Sequence, residues 1–194
     1  MVEIVLASTS RYRRELLARL TPSFRVQAPR VDETALADES PLALARRLAL
    51  AKAHAVAADC GAALVIGSDQ VAELGGRALG KPGSVAAAHA QLAACSGLEV
   101  HFHTALCVID TRGGSPAVHC DIDRTRVVFR PLDAATIERY VEREQPLDCA
   151  GSFKCEGLGI ALFERIETVD PTALVGLPLI ALARLLRECD MEIP

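Results

Sequence analysis

The sequence predicts an α/β fold, because short apolar stretches typical of strands alternate with longer stretches of helical periodicity. The clearest strand covers residues 62–66, a run of small and branched apolar residues that suits a strand buried on both faces. The clearest helix begins at Ser40-Pro41, where a capping serine precedes a proline at the first helical position. Strands and helices intermix without a repeat or a linker, so we expect one domain over residues 1–194.

The composition is that of a globular protein, with 194 residues, of which 51% are hydrophobic and 24% are charged. Aromatic residues make up only 4%, so the core must be built from aliphatic side chains. A net charge of −4 argues against a broad nucleic-acid-binding surface, although a small cationic pocket for a phosphorylated metabolite stays compatible with it. The longest uncharged apolar segment, residues 173–183, is too short to span a bilayer, so no membrane partner is expected.

The seven cysteines include no CxxC pair, and the first residues lack the pattern of a signal peptide. We therefore expect reduced thiols and a cytoplasmic protein. Cys149 and Cys155 flank a glycine-rich stretch, but two cysteines supply too few ligands for a zinc site.

An acid and a cation lie on either side of a predicted hairpin in the middle of the chain. The strand over residues 62–66 is predicted to end near Asp69, which places a carboxylate at the edge of the sheet where ligand crevices form. Residues 71–79 then predict a hairpin around a Gly-Gly turn, which returns Lys81 toward the same edge. Asp69 and Lys81 would then face each other across a pocket. The alternative is that Asp69 caps a turn and Lys81 is solvated.

A hydroxyl-rich loop, residues 8–11, connects the first predicted strand to the first predicted helix. The strand covers residues 2–7 and the helix residues 12–20. The free N–H groups of a first helical turn and the guanidinium groups of Arg13 and Arg14 would bind phosphate oxygens. The GxxxxGK[ST] pattern of a P-loop is absent. An ordinary helix cap at Ser10 with solvated arginines is the alternative interpretation.

Two more charged positions fit a site of the same kind. Asp32-Glu33 follows a predicted strand over residues 24–28, and Mg²⁺ needs only one or two carboxylates when phosphate oxygens complete its ligands. A solvated loop is the alternative for these acids. Lys52 lies within the apolar face of a helix predicted over residues 40–59, which is unfavourable unless its ammonium reaches water or an anion.

The rest of the chain continues the alternation of helices and strands. The predicted elements are a helix over 84–95, strands over 98–109 and 117–129, a helix over 133–144, a strand over 160–167 and helical segments between 170 and 188. A glycine-rich stretch over residues 149–159 precedes the last strand. Glycine at this density allows the backbone to approach a ligand closely, or forms a plain loop.

Taken in order, these stretches resemble the Maf family of nucleoside triphosphate pyrophosphatases along nearly the whole chain. The matching segments read LASTSRYRRELL, VDET, LALAKA, IGSDQV, LGKP, FRPL and AGSFKCEGLG. Among the Maf subgroups, the sequence is most similar to the one that hydrolyses 7-methyl-GTP, through Tyr12, Gln70 and GSFK at residues 151–154. Arg11 departs from the family pattern, in which proline is expected beside the phosphate loop.

The resemblance implies the Maf/Ham1 (ITPase-like) fold, an α/β architecture with a curved mixed sheet flanked by helices and two lobes with the active cleft between them. It also implies cleavage of a nucleoside triphosphate between the α and β phosphates with a divalent metal cation, Mg²⁺ or Mn²⁺. Asp69 corresponds to the proton acceptor of the family. The other correspondences are substrate specificity for Tyr12, Gln70 and Lys154, phosphate binding for Ser8, Arg13, Lys52 and Lys81, and metal binding for Glu33 and Asp69.

The expected function is hydrolysis of 7-methyl-GTP to 7-methyl-GMP and diphosphate, which removes a modified nucleotide from the pool. The ring of Tyr12 would favour the positively charged base by about 0.5–2 kcal/mol, and Lys154 is expected to reach a phosphate or a base carbonyl. One alternative is the same chemistry on UTP or dTTP. Another is a nucleotide-binding regulator of septum formation without essential turnover. The resemblance also implies a homodimer and a role in arrest of cell division.

Overall fold

The computed structural model describes residues 2–194, which fold around a mixed seven-stranded sheet. The strands are β1 (Glu3–Ala7), β2 (Arg25–Gln27), β3 (Ala63–Leu74), β4 (Arg77–Leu79), β5 (Glu99–Asp110), β6 (Ala117–Phe129) and β7 (Phe163–Glu167). Their spatial order is β2-β1-β3-β5-β6-β7, and β4 pairs with β3 outside this row. β1 runs parallel to β2 and β3, whereas the other pairs are antiparallel.

Five α-helices and three short 3₁₀ helices complete the part of the chain that the structure describes. The α-helices are α1 (Arg11–Leu17), α2 (Pro41–Ala57), α3 (Val85–Cys95), α4 (Ala134–Glu144) and α5 (Leu179–Glu188), and the 3₁₀ helices are Ala150–Ser152, Leu158–Leu162 and Ala173–Val175. Among residues 2–194, no helix combines the length and the apolar character that crossing a membrane requires.

Side-chain caps fix the start of four helices. Ser10, Ser40, Ser84 and Asp133 each accept a hydrogen bond from the backbone N–H three residues further along. These bonds satisfy N–H groups that the first turn of a helix leaves unpaired. The predicted helix starts at Ser40, Ser84 and Asp133 are therefore confirmed.

Three long strands, β3, β5 and β6, run through both halves of the molecule. In one half, α1 and α5 pack on the face that carries Ile66, and α2 packs on the opposite face, which carries Val65. In the other half, α3 and α4 enclose a separate core around Phe102 and Phe129. The predicted α/β class and the curved mixed sheet with two lobes are confirmed.

The strand that contains Asp69 continues beyond its predicted end, so that prediction was wrong. β3 pairs with β5 without interruption from Leu64 to Glu73, and Asp69 lies in mid-strand opposite Ala105. Polar residues therefore continue the strand, because β5 supplies backbone partners along its whole length. The predicted hairpin is confirmed: β3 and β4 are joined by Gly75 and Gly76, whose φ angles of 58° and 82° suit glycine.

A gap opens in the sheet on the other side of β3. The pairing of β3 with β1 ends at Gly67 and Ala7, and pairing with β4 resumes at Ala72 and Leu79. Between these two points, residues 68–71 have β5 as their neighbouring strand on one side only. β1 ends at one side of this gap and β4 ends at the other. The segments that follow these two strands therefore flank the gap.

Two of the seven cysteines are bonded, so the prediction that all thiols are reduced was wrong. Cys107 of β5 and Cys120 of β6 lie directly opposite each other in the sheet and form a disulfide. Opposed residues of antiparallel strands bring their Cβ atoms close together, a relation that the spacing of the cysteines in the sequence does not reveal. The remaining five cysteines are free.

A thiol count tests this disulfide directly. Ellman's reagent under denaturing conditions is expected to detect five thiols per chain without reductant and all seven after reduction. A Cys107→Ser variant should give the same count with and without reductant, because Cys120 then has no partner. Seven thiols in the unreduced wild-type protein would contradict the bonded state.

Gly67 lets α2 approach β3 closely. A Cβ atom at this position would lie 2.4 Å from the carbonyl oxygen of Ala49 and 2.7 Å from the backbone nitrogen of Ala53. Because both contacts are with backbone atoms of α2, the helix itself would have to move away from the sheet.

The substitution Gly67→Ala is therefore expected to lower the free energy of unfolding by about 1–3 kcal/mol, the usual effect of overpacking a core. Urea denaturation followed by circular dichroism measures it. Gly61→Ala is the matched control, because a Cβ atom there would meet nothing within 4 Å. Equal losses in the two variants would show that close packing at Gly67 is not the cause.

Candidate active site

A cavity of about 660 Å³ opens at the gap beside β3, within the range of about 300–1,000 Å³ that is usual for ligand pockets. Its walls come from the segments after β1 and β4, from α2, from the middle of β3 and from the loops that precede β7 and α5. The predicted site residues that line it are Ser8, Tyr12, Arg13, Glu33, Lys52, Asp69, Gln70 and Lys81. The fold thus brings together eight residues that are scattered through the first 81 positions of the chain.

Lys52 links the two acids of the cavity. Its Nζ lies 2.6 Å from Oδ1 of Asp69 and 2.6 Å from Oε1 of Glu33. The side chains of Lys52 and Asp69 are 7% and 9% exposed, whereas that of Glu33 is 55% exposed. Of the two explanations for a lysine on an apolar helix face, the structure shows the one in which the ammonium meets an anion. α2 and β3, both rigid elements, hold the buried pair in place.

Arg13 reaches the cavity from α1 and is fixed by the loop before α5. Its Nε donates a hydrogen bond to the carbonyl oxygen of Gly176 at 2.8 Å, and the hydroxyl of Ser68 donates to the same oxygen at 3.0 Å. Burial lowers the pKa of the Arg13 guanidinium, and the charges of Asp69 and Glu33 oppose this shift. Arginine stays cationic in proteins, so Arg13 adds a positive charge to this part of the cavity.

Glu33 stays ionised in more acidic solution than a free glutamate does. Burial raises the pKa of Glu33, but the hydrogen bond and charge of Lys52, together with the charges of Lys81 and Arg13, outweigh burial and lower it overall. Three cations thus surround two carboxylates, Glu33 and Asp69. The resulting excess of positive charge suits an anionic ligand.

Gln70 anchors one wall of the cavity. Its Nε2 donates hydrogen bonds to Oγ1 of Thr104 at 3.0 Å and to the carbonyl oxygens of Ala173 at 2.9 Å and Leu174 at 3.1 Å. Because Asp69 and Gln70 are consecutive in a strand, their side chains point to opposite faces of the sheet. Gln70 therefore holds the loop before α5, while Asp69 meets α2.

Tyr12 lies at the wall formed by α1, and its ring is covered by the side chain of Arg11. The Cζ atom of Arg11 is 4.7 Å from the ring centroid, and its Nη2 donates a hydrogen bond to the Tyr12 hydroxyl at 2.7 Å. This distance is typical of a cation–π contact. The residue that departs from the family pattern thus occupies a face of the ring on which a base is expected to stack.

Lys154 is the one predicted site residue that does not line the cavity. Its Nζ donates hydrogen bonds to the carbonyl oxygens of Glu144 at 2.8 Å and Gln145 at 3.4 Å, at the end of α4. A lysine at the C-terminus of a helix satisfies carbonyl groups that have no partner within the helix. The role of Lys154 in substrate specificity stays a prediction, and it would require the ammonium to leave these carbonyls.

The motifs did not single out two further acids of the cavity. Asp148 and Glu156 line it together with Cys149 and Cys155, from the segment between α4 and β7. The only sequence signal was their position, since Asp148 lies just before the family segment AGSFKCEGLG and Glu156 lies inside it. Nothing in that segment indicates that these carboxylates line the cavity.

Glu33 and Asp69 are the carboxylates that fit a divalent cation. Within residues 2–194, no group of three or more His, Cys, Asp or Glu side chains is arranged to hold a metal ion. Two carboxylates are sufficient for Mg²⁺ when phosphate oxygens and waters supply the other ligands. Both acids contact the same ammonium of Lys52, so they are close enough to share one cation. The donor set therefore fits a metal ion that binds together with a polyphosphate.

The fold and the site define an α/β protein with a cleft at the open edge of a central strand, in which Arg13, Lys52 and Lys81 act on Glu33. Residues 3–189 match the family described as Maf-like protein, and the chain belongs to the Maf family. A 7-methyl-GTP pyrophosphatase of Xanthomonas oryzae pv. oryzae is 58% identical over 194 residues, which are 100% of both chains. A 7-methyl-GTP pyrophosphatase of Burkholderia pseudomallei is 56% identical over 187 residues, which are 95% of this chain and 86% of the relative.

Among solved structures, the Ham1 protein of Staphylococcus aureus aligns with a TM-score of 0.46 and 19% identity. The alignment covers 66% of this chain and 71% of the Ham1 chain.

Replacing Lys52 tests the electrostatics of the site. In a Lys52→Met variant, we expect the pKa of Glu33 to rise, because Lys52 is the main group that opposes the effect of burial. Glu33 would then lose its charge at a higher pH than in the wild-type protein. NMR titration of the side-chain carboxyl carbons measures the shift. Lys81→Met should raise the pKa of Glu33 by a smaller amount. If the pKa of Glu33 is the same in Lys52→Met as in the wild type, the contact between Lys52 and Glu33 is contradicted.

Proposed function

We propose that this protein hydrolyses 7-methyl-GTP to 7-methyl-GMP and diphosphate. The observation that carries the proposal is the buried pair of Asp69 and Lys52, 2.6 Å apart, in a cleft that also holds Arg13 and Lys81. Support for the substrate comes from the full-length relative of that name, which is 58% identical. A protein that only binds a nucleotide has no need for a buried acid among the cations, because the acid would repel the phosphates.

The cations of the cleft fit the triphosphate. Arg13, Lys52 and Lys81 would bind the phosphate oxygens, and Ser8 also lines the cavity. Phosphoryl transfer spreads negative charge over oxygens in the transition state, so positioned cations contribute most at that point. The guanidinium of Arg13 is held by Gly176 and so needs little rearrangement to take part.

Asp69 would accept a proton from the attacking water. The water oxygen forms a new bond to phosphorus, the anhydride bond between the α and β phosphates breaks, and diphosphate leaves. A general base must lie within hydrogen-bond reach of its water, and the contact with Lys52 fixes the carboxylate of Asp69 at the edge of the cleft. Lys52 is placed to bind either the acid or a phosphate oxygen.

A divalent cation, Mg²⁺ or Mn²⁺, would bind together with the substrate, held by Glu33 and Asp69. When bound, such a cation supplies positive charge at the phosphoryl oxygens and lowers the pKa of a coordinated water. The lowered pKa of Glu33 keeps this ligand ionised across the neutral range. Lys52, which contacts both acids, would then turn toward the phosphates.

The base would lie against Tyr12. An aromatic face attracts the positively charged 7-methylguanine ring, with an effect of about 0.5–2 kcal/mol. Gln70 and Lys154 would contribute to specificity, Gln70 by fixing the loop that faces the base. We further propose that the protein acts in the cytoplasm, where the nucleotide pool is, and that it forms a homodimer as its family suggests.

A nucleotide panel tests the proposed reaction. Purified protein with Mg²⁺ or Mn²⁺ is expected to release diphosphate from 7-methyl-GTP with a higher kcat/KM than from GTP, UTP or dTTP. Asp69→Asn should lower kcat by about 10²–10⁴-fold, the usual contribution of a general base. Glu138→Gln, on the exposed face of α4, is the matched control and should change neither kcat nor KM.

Three outcomes of the panel would contradict parts of the proposal. A higher kcat/KM for UTP or dTTP would assign the same chemistry to another base. Undiminished turnover in Asp69→Asn would remove the role of the acid. No diphosphate from any nucleotide, with binding retained, would indicate a nucleotide-binding regulator instead of an enzyme.

A further inference from the structure

The two ends of the cleft differ in charge. The charges that act on Glu33 are those of Lys52, Lys81 and Arg13. Around Tyr12 the charged neighbours are different, namely Arg11 and Asp148. The phosphate end is therefore cationic, whereas the carboxylate of Asp148 acts on Tyr12, and Glu156 lines the same cavity. A ligand with a negative tail and a positive head would match both ends.

Asp148 and Glu156 belong to one wall of the cavity, which is formed by residues 148–156. Asp148 accepts a hydrogen bond from the thiol of Cys149 at 3.5 Å, and Glu156 accepts one from the thiol of Cys155 at 3.4 Å. Burial and then the neighbouring carboxylate raise the pKa of each thiol to about 12, so both thiols are neutral at physiological pH. The negative charge of this wall therefore comes from the two carboxylates.

The two cations close to this wall, Lys154 and Arg11, already have partners within the protein. The ammonium of Lys154 is bound to carbonyl oxygens at the end of α4, away from the cavity lining. The guanidinium of Arg11 lies over the ring of Tyr12, and the charge of Asp148 acts on it. Arg11 is exposed and is therefore free to move toward solvent.

Arg11 shows what kind of group the wall accommodates. A guanidinium is a planar cation with delocalised charge, and here its Cζ lies over the Tyr12 ring, 4.7 Å from the ring centre, where the charge of Asp148 acts on it. The 7-methylguanine base is also a planar cation with delocalised charge. When such a base replaces Arg11 on the ring, a positive charge stays beside the carboxylate. A neutral base in the same place would leave Asp148 without that partner.

We propose that Asp148 and Glu156 select the positively charged 7-methylguanine base over neutral bases. This role for Asp148 and Glu156 rests on the proposed function. It adds the residues that distinguish a charged base from a neutral one. Both side chains are exposed at the mouth of the cleft, so each is expected to contribute as a partly solvated ion pair does. Coulomb attraction by a carboxylate discriminates by charge, which stacking on Tyr12 does only in part.

The test compares kcat/KM for 7-methyl-GTP and for GTP in the wild type, Asp148→Asn, Glu156→Gln and the double variant. The ratio of the two values is expected to fall by about two- to fivefold in each single variant and by about tenfold in the double variant. The value for GTP should not fall, because its base is neutral. Glu142→Gln, an exposed acid on α4, is the matched control and should keep the wild-type ratio.

A second readout isolates the base from the phosphates. Inhibition by 7-methylguanosine, which has no phosphate, is expected to weaken about tenfold in the double variant and to stay unchanged in Lys81→Met. Asp148→Glu keeps the charge and should keep most of the preference. These outcomes would distinguish a carboxylate that attracts the charged base from a residue that only stabilises the loop.

The result also separates this assignment from the proposed function. A wild-type protein that does not prefer 7-methyl-GTP would overturn the proposed substrate and the assignment with it. A wild-type preference that survives both substitutions would overturn the assignment alone. A parallel fall of kcat/KM for both nucleotides would likewise overturn it, since that pattern indicates a structural role.

Discussion

The open edge of β3 is the constraint on which the rest of the site depends. Residues 68–71 have β5 on one side and no neighbouring strand on the other, because β1 ends at Ala7 and β4 begins to pair only at Ala72. β5 keeps this stretch rigid and extended, while the gap leaves room for a ligand. A backbone edge that is not paired needs hydrogen-bond partners from water or a ligand, so such a gap is suited to binding.

The alternation of side chains along this stretch supplies the two walls of the cleft. Asp69 points to the face where α2 presents Lys52, whereas Ser68 and Gln70 point to the other face and bind the loop before α5. That loop in turn holds Arg13 through Gly176. A register shift of one residue would exchange these roles, since strand side chains alternate with a period of two. The continuous ladder with β5 therefore determines the chemistry of the cleft as well as its shape.

The buried ion pair in this cleft is better explained by function than by stability. Removing two charges from water carries a penalty that their attraction does not reliably exceed. Lys52 and Asp69 are nonetheless both buried, and the exposed Glu33 contacts the same ammonium. Carboxylates and ammonium groups fixed in this way are ready for a polyphosphate and its metal ion, and little rearrangement is then needed during the reaction. The carboxylates of Asp148 and Glu156 also line this cleft, outside the cluster around Lys52.

The sequence by itself determined the α/β class, the order of the elements, the helix starts at Ser40, Ser84 and Asp133, and the Gly-Gly hairpin. These features depend on periodicity, capping and turn chemistry within a few residues, and such contacts are encoded locally. The resemblance to the family also predicted eight site residues that line one cavity in the structure. Only the tertiary structure decided the continuation of β3 through Asp69, the disulfide between Cys107 and Cys120, the position of Lys154 and the presence of Asp148 in the same cavity as Tyr12. Each of these depends on strand register or on the packing of segments far apart in the chain, which local patterns do not specify.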